Sequence, residues 1–151
     1  MVESNIVEEH KNALIGSWRL VGHQQELLDT GEIQFPRGRH PDGYLTYTPD
    51  GRFHVLNIAG DRIKPQGVSP TDEEALALFK GLTAYAGQFS VRDGGNVVHH
   101  VDISWNETWT GTDQERRYVL DGDKLTITNG PLFSPWDGKR IIATMTYERV
   151  R

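Results

Sequence analysis

The sequence predicts a mainly β protein: a closed, antiparallel, up-and-down β-barrel of about eight to ten strands, with one inserted helix and a short N-terminal helix. Short runs rich in Val, Ile, Thr, Tyr and Trp alternate apolar and polar residues. Glycine-containing turns separate these runs at intervals of about 8–12 residues, which is typical of successive hairpins. The turns are Asp29-Thr30-Gly31, Pro49-Asp50-Gly51, Arg92-Asp93-Gly94-Gly95-Asn96, Asp121-Gly122-Asp123 and Trp136-Asp137-Gly138. Closure is expected because it removes exposed sheet edges, and a closed barrel of this size encloses a pocket.

The composition excludes several classes of function. The chain has 151 residues, of which 36% are hydrophobic and 25% charged, as is ordinary for one globular domain. A net charge of −5 disfavours a nucleic-acid partner, which requires a basic surface. The absence of cysteine excludes disulfides, thiolate nucleophiles and cysteine-ligated metals. Because the N-terminus is acidic where a signal peptide would be basic and then apolar, we expect a cytoplasmic protein without a membrane partner.

The hydrophobic pattern predicts the elements in order. Residues 1–13 are expected to be an N-terminal extension, with a short helix over residues 6–15, and residues 14–151 a single barrel domain. A strand at 16–23 and a ribbon at 24–28 are followed by a polar loop at 35–41 that could cover one barrel mouth. Further strands are predicted at 43–48, 52–58, 83–91, 97–105, 115–120, 124–128 and 140–150.

One helix is predicted between the strands, over about residues 71–82. Thr71 is a suitable N-cap, and Glu74, three residues later, completes a capping box with further acids in the first turn. Its apolar residues recur at helical spacing, which favours packing against the barrel. A lid over the barrel mouth is the alternative.

Trp18 and Arg149 carry the first specific resemblance. Gly16-Ser17-Trp18 opens the first strand, and Arg149 lies near the end of the last strand. This pair resembles the arrangement of the lipocalins and the wider calycin superfamily, in which the Trp closes one barrel end and an Arg lies across its indole. A guanidinium stacks favourably on an indole and can donate to nearby carbonyls. The resemblance therefore implies a structural role for both residues.

Longer stretches are similar to the bacterial and fungal lipocalin-like domain family. They are GSWRLV at 16–21, GYLTYTPDGR at 43–52, AYAGQF at 84–89, VVHHVDIS at 97–104, WTGTDQERR at 109–117 and LDGDKL at 120–125. The similarity covers roughly residues 14–150. It implies a lipocalin-like barrel, whose relatives are divided between ligand carriage and chemistry in secondary metabolism.

Alternation along the strands places candidate site residues inside the barrel. In the strand at 97–105 the odd positions, including Ile103 and Trp105, form the apolar face, so His99 is expected to point inward and His100 outward. A buried imidazole requires a partner, and a structural, a ligand-contacting or catalytic, and a metal-binding role all remain open. An inward Arg116 would be a suitable counterion for an acidic ligand or for Asp113.

The candidate ligand-binding set is rich in aromatic side chains that also form hydrogen bonds, which suits an apolar, aromatic or polyketide-like ligand with a few oxygens. The set is Tyr44, Tyr47, His54, Tyr85, Phe89, His99, Trp105, Trp109, Arg116 and Tyr118. The strands at 43–48 and 52–58 are apolar on both faces, so the sequence does not fix which of their side chains face inward.

Two function classes follow. The first is a protein that binds a small molecule in the barrel. The second is a cofactor-free isomerase, cyclase or dehydratase of secondary metabolism, in which His99 is the acid or base while Tyr85 and Arg116 stabilise an enolate. The two differ in whether protein partners occupy both ring nitrogens of His99, because a fully satisfied ring counts against catalysis.

Neither a cofactor nor a metal is expected. The sequence lacks a nucleophile elbow, a phosphate-binding glycine loop, a dinucleotide fingerprint and a zinc-protease motif. His99 and His100 are neighbours on a strand and face opposite sides, so they cannot chelate one ion. A site in which His54 and His99 both point inward is the remaining metal alternative. A homodimer through an open barrel face is a further option that no motif specifies.

Overall fold

The barrel wall consists of antiparallel strands in a computed structural model that describes residues 2–93, 95–134 and 137–151, with side chains from residue 6 onward. Gly94 and Trp136, in two of the predicted turns, lie outside the described residues. The strands are β1 Gly16–Leu27, β2 Ile33–Gln34, β3 Asp42–Tyr47, β4 Arg52–Ile58, β5 Leu82–Arg92, β6 Asn96–Ser104, β7 Asp113–Asp121, β8 Lys124–Phe133 and β9 Arg140–Arg149. The helices are α1 Val2–Leu14, α2 Asp72–Lys80 and a 3₁₀ turn at Glu107–Trp109.

The sheet closes because its last strand pairs with its first. The strands follow the order β1-β3-β4-β5-β6-β7-β8-β9, and β9 pairs back onto β1 from Trp18↔Arg149 to Leu27↔Ile141. The short strand β2 adds to the end of β1. The predicted fold class, a mainly β, closed, up-and-down barrel with an inserted helix, is confirmed. Neither α-helix of the described chain is long and apolar enough to cross a membrane.

A β-bulge in β1 changes which residues face the interior. The register with β9 shifts between Leu20 and Gly22. Before the bulge Trp18 and Leu20 are buried, whereas after it the inward positions are odd-numbered and include Gln25 and Leu27. One extra residue moves every following side chain to the other face. Pairing with β9 continues through the bulge, so the strand predicted at 16–23 and the ribbon predicted at 24–28 form one continuous strand.

A second bulge corrects an expectation about β6. Gly87 pairs with Val101 but Ala86 pairs with Ile103, so Asp102 is the extra residue. Ile103, expected on the interior face, consequently lies outside with 65% of its surface exposed. The bulge brings β6 so close to β5 that a Cβ at Gly87 would lie 1.9 Å from the His100 carbonyl oxygen. Only glycine fits at this position.

The inserted helix α2 forms as its sequence predicts but packs differently. Its capping box is present: Thr71 Oγ1 accepts from the Glu74 amide at 3.2 Å, and Glu74 Oε1 accepts from the Thr71 amide at 2.8 Å. The expectation that its apolar face packs closely on the barrel is wrong, since no residue of α2 is buried. Phe79 remains 47% exposed, and its ring is tilted by 42° from that of Trp105 with the ring centroids 6.5 Å apart. The helix lies loosely over the barrel.

Trp18 and Arg149 close the opposite end. Trp18 is fully buried, and its Nε1 donates to the Leu14 carbonyl at 2.9 Å. The Arg149 guanidinium lies 4.2 Å from the Trp18 ring centroid and donates to the Ala13 and Ile15 carbonyls at 2.9 and 3.1 Å. One cation thus connects α1, β1 and β9, which supports the structural role inferred from the resemblance.

Replacing Arg149 by lysine should lower the free energy of unfolding by about 2 kcal/mol, because an ammonium cannot cover the indole and donate to both carbonyls. Urea unfolding measures the change. Arg151→Lys is the matched control. Both Arg149 and Arg151 pair with Asp123, but the side chain of Arg151 is 72% exposed, so its replacement should cost less than about 0.5 kcal/mol. Equal losses in the two variants would contradict a plug at this end.

Candidate functional site

The barrel encloses a cavity of about 260 Å³. Most of one wall is aliphatic, from side chains that alternate inward along β3, β4, β8 and β9. These residues are Leu45, Val55, Ile127, Ile141, Ala143 and Met145. Phe79 of α2 lines the cavity while half exposed, so it marks the mouth, together with Trp105 at the end of β6 and Trp109 of the 3₁₀ turn.

The structure brings half of the ten predicted ligand-binding residues to this cavity. Tyr85, His99, Trp105, Trp109 and Arg116 line it. Three others lie inside the barrel but away from the cavity wall. Tyr47 and Phe89 are buried behind His99, with ring centroids 4.6 Å apart, and Tyr118 is partly buried in the core.

Tyr44 and His54 do not belong to the site, and their inclusion in the ligand-binding set is corrected. Leu45 and Val55 face inward, so their strand neighbours Tyr44 and His54 face outward. Tyr44 accepts a hydrogen bond from Arg19 Nη1 at 2.7 Å on the outer surface. His54 and His99 therefore lie on opposite faces, which removes the metal alternative that needed both inside.

His99 is held between two tyrosines. Tyr47 Oη lies 2.7 Å from its Nε2 and Tyr85 Oη lies 3.1 Å from its Nδ1, while Phe53 stacks on the ring at 4.1 Å. Burial, together with the positive charge of Arg116, holds the pKa of His99 well below its usual range. The ring is therefore neutral at neutral pH and carries one N–H.

Burial indicates where the protons lie in the hydrogen-bonded series Tyr47, His99 and Tyr85. Tyr47 is 1% exposed and has His99 as its hydrogen-bond partner, so the tautomer that leaves no buried Tyr47 proton unpaired is the one in which Tyr47 donates to Nε2. Nδ1 then carries the ring proton and donates to the Tyr85 oxygen. The hydroxyl proton of Tyr85 is left over, and Tyr85 lines the cavity. These three side chains thus present one hydrogen-bond donor, the Tyr85 hydroxyl, to a ligand in the cavity.

Arg116 is a buried cation beside that donor. It is 5% exposed, and its nitrogens donate to the Glu115 carbonyl at 3.2 Å and to Gln114 Oε1 at 3.3 Å. Its guanidinium lies 5.9 Å from the Trp109 ring centroid. Burial raises the pKa of Tyr85, and the charge of Arg116 partly offsets that rise, so the two groups lie close together. Asp113, considered as its counterion, instead accepts from His100 on the outer surface.

Several cavity residues escaped the sequence analysis. Asn57 Nδ2 donates to Tyr147 Oη at 2.8 Å across the barrel, and both line the cavity. Burial raises the pKa of Tyr147, so it stays a neutral phenol. His23 and Gln25 reach the cavity only because of the bulge in β1. An Asn at an inward position of an apolar strand was the one signal available from the sequence.

A second hydrogen-bonded chain crosses the outer surface. Ser90 Oγ lies 2.9 Å from His100 Nε2, and His100 Nδ1 lies 2.8 Å from Asp113 Oδ1, in the order of a Ser-His-Asp triad. The adjacent surface depression is lined by His100 and Asp113 but, among the residues described, not by Ser90. We therefore assign these three hydrogen-bonded side chains as a tie between β5, β6 and β7.

Replacing His99 by asparagine should destabilise the protein most at neutral pH. The pKa of His99 is depressed in the folded protein, so below about pH 6.5 the unfolded chain takes up a proton on this ring and the folded protein does not. The free energy of unfolding of the wild type therefore decreases as the pH is lowered. The variant lacks this term. The stability difference from wild type should therefore shrink by up to about 1.4 kcal/mol per pH unit between about pH 6.5 and pH 5.

Urea unfolding across this pH range measures the difference. Phe89→Leu, a buried neighbour without a titrating group, should cost stability equally at every pH. His23, whose pKa burial and the charge of Arg37 lower to about 4, contributes equally to all three proteins. A constant deficit for His99→Asn would contradict a neutral buried ring.

Comparisons with known proteins find similarities in sequence and in structure. The chain is similar to the 4'-hydroxy-3'-methoxypropiophenone carrier protein ppsC of Aspergillus oryzae, with 35% identity over 68 residues. These residues cover 40% of this chain and 61% of that protein, less than two thirds of the relative's length. Among solved structures, it is similar to a lipocalin-like protein from Bacteroides uniformis at 15% identity and a TM-score of 0.46, over 91% of this chain and 98% of that one.

A family match spans most of the chain. Residues 15–150 match the family described as a lipocalin-like domain, and this range contains the whole barrel from the start of β1 to the end of β9. The chain belongs to the lipocalin-like domain family.

Proposed function

We propose that this protein binds a small aromatic molecule in the barrel cavity and carries it unchanged. The observation that carries the proposal is the cavity itself: an aliphatic wall, two indoles at the mouth, and a compact group of hydrogen-bond donors at Tyr85 and Arg116. Its volume of about 260 Å³ lies near the lower end of small-molecule sites, about 300–1,000 Å³, which favours a ligand of one or two rings.

The similarity to a carrier protein supports an aromatic ketone as the ligand class. The relative's name specifies a ring with hydroxyl and methoxy substituents and a ketone side chain. In this chain, the ring centroids of Trp105 and Trp109 lie 5.2 Å apart in an edge-to-face arrangement, and both rings line the cavity. The donors of Tyr85 and Arg116 suit an oxygen on such a ring.

The geometry disfavours the enzyme alternative, in which His99 is the acid or base with Tyr85 and Arg116 as its partners. Both ring nitrogens of His99 are engaged by Tyr47 and Tyr85, and its pKa is held too low for the ring to accept a proton near neutral pH. No carboxylate lines the cavity among the described residues. The site can stabilise an oxygen. The other imidazole of the lining, His23, has its pKa lowered to about 4 by burial and the charge of Arg37, so neither histidine of the described lining is a strong base. A cytoplasmic location and a homodimer stay predictions.

Filling the cavity should abolish binding. Ala143→Trp places an indole in the cavity wall, whereas Thr144→Trp places one on the adjacent outward position of β9. With 4'-hydroxypropiophenone as the probe, isothermal titration calorimetry should show at least a tenfold weaker affinity for Ala143→Trp, or about 1.4 kcal/mol, and little change for Thr144→Trp. Unchanged affinity in both variants would place the ligand elsewhere.

Shortening Phe79 should speed ligand release. Phe79 lines the cavity at its mouth and contacts Trp105, on a helix without buried residues. We expect Phe79→Ala to raise the dissociation rate of the same ketone several-fold in stopped-flow fluorescence. Leu76→Ala removes a similarly exposed side chain of α2 that does not line the cavity, and it should leave the rate unchanged. Equal rates in the two variants would mean that α2 is not part of the exit route.

A further inference from the structure

We propose that the cavity selects the deprotonated form of a weakly acidic aromatic ligand, a phenolate or an enolate, and holds its oxygen against Arg116 and Tyr85. The inference rests on the proposed function, because it requires that a small aromatic molecule occupies this cavity. It adds the charge state of that molecule and the position of its charged atom.

The first step is the missing counterion of Arg116. Its nitrogens donate to the Glu115 carbonyl and to Gln114 Oε1, which are both neutral, and no carboxylate of the described residues lies within 4.0 Å of the guanidinium. Five other arginines do have a carboxylate partner: Arg19, Arg52, Arg92, Arg149 and Arg151. Those five are in part or largely exposed, whereas Arg116 is 5% exposed. A cation withdrawn from water without an anion is costly, and a bound anion would remove that cost.

The second step is the charge of the whole cavity lining. Its titratable or permanently charged members are His23, Arg37, Tyr85, His99, Arg116 and Tyr147. Burial raises the pKa of both tyrosines and lowers the pKa of both histidines, so these four are neutral at neutral pH. The two arginines remain charged. Among the described residues, the lining therefore contains no negative group to compete with an anionic ligand for Arg116.

The third step is that the groups around Arg116 donate. In the tautomer in which Tyr47 donates to His99, the hydroxyl proton of Tyr85 is free for a ligand. The Tyr85 ring centroid lies 5.1 Å from that of Trp109, and the Arg116 guanidinium lies 5.9 Å from the Trp109 centroid. Trp105 Nε1 is buried without an acceptor among the described residues. A neutral phenol would bring its own proton to a cluster of donors, whereas a phenolate accepts from all of them.

Among the described lining residues, Asn57 Oδ1 is a buried side-chain acceptor without a partner, and it does not offset this preference. It lies against Gly43 of β3, where a Cβ would be 2.4 Å away. The ligand proton therefore has to leave for solvent. The balance is a simple acid dissociation: the neutral ligand gives a proton to water or buffer, and its anion occupies the cavity. No residue of the protein takes up the proton.

The experiment follows the ionisation of a bound probe. Phenolate absorption lies at longer wavelength than that of the phenol, so the spectrum of 4'-hydroxypropiophenone reports its charge in the cavity. With protein in excess, a pH titration should show the pKa of the bound phenol at least one unit below that of the free compound, equivalent to anion binding at least tenfold tighter than phenol binding. The methyl ether, 4'-methoxypropiophenone, is the probe that cannot ionise.

Arg116→Gln should abolish the shift, and it should weaken binding of the ionised hydroxyl probe more than binding of the methyl ether, which brings no negative charge to Arg116. Arg117→Gln, on the outward face of β7, should retain the wild-type shift. Thermal unfolding checks that each variant is folded, and Arg116→Lys, which keeps the charge, should keep part of the shift. If Arg116→Gln does not fold, the wild-type titration still decides the matter.

The outcomes separate the two proposals. If the wild type binds both ketones but the bound phenol has an unchanged or raised pKa, the charge preference is wrong and the carrier function stands. If the shift persists in Arg116→Gln, the anion is held by other groups and the assignment to Arg116 is overturned. If neither ketone binds, carriage of aryl ketones fails and the charge preference fails with it.

Discussion

A polar group inside a closed barrel has to find its partner inside that barrel, and this constraint organises the whole interior. His99 satisfies it completely, because Tyr47 and Tyr85 take one ring nitrogen each and Phe53 covers its face. His99, Tyr47 and Tyr85 come from β6, β3 and β5, so their hydrogen bonds also connect strands across the barrel. This arrangement leaves the hydroxyl proton of Tyr85 free, and Tyr85 lines the cavity.

Arg116 meets the same constraint in a different way. Neutral acceptors orient its guanidinium, but no acid of the described residues neutralises it. The contrast with His99 separates an imidazole that the protein has already satisfied from a cation that it has not. A site built in this manner can hold an electron-rich oxygen, which is what the proposed ligand class provides.

The two ends of the barrel differ in stability for a related reason. At one end Trp18 is fully buried and Arg149 connects two carbonyls before β1 to the last strand. At the other end α2 is held by its own capping box and by a few contacts at Phe79, and it buries none of its residues. Local opening requires least free energy where little apolar surface is buried. Exchange of a ligand is therefore expected at the α2 end.

The sequence by itself determined the barrel, the inserted helix with its cap at Thr71, and the inward direction of His99. Each of these depends on local rules: glycine turns, the chemistry of a helix N-terminus, or strand alternation. The resemblance to the lipocalins implied the plug residues Trp18 and Arg149. Local rules hold within one regular strand or helix. They are lost where an extra residue is inserted, as at the bulges that turned His23 inward and Ile103 outward.

Only the tertiary structure decided the rest. Strands β3 and β4 are apolar on both faces, so the outward direction of Tyr44 and His54 was fixed by their pairing with β1 and β5. The partners of His99 lie 52 and 14 residues away in sequence, and no local pattern specifies contacts at such distances. Closure of the sheet brings these side chains together, and burial then determines which of them remain charged.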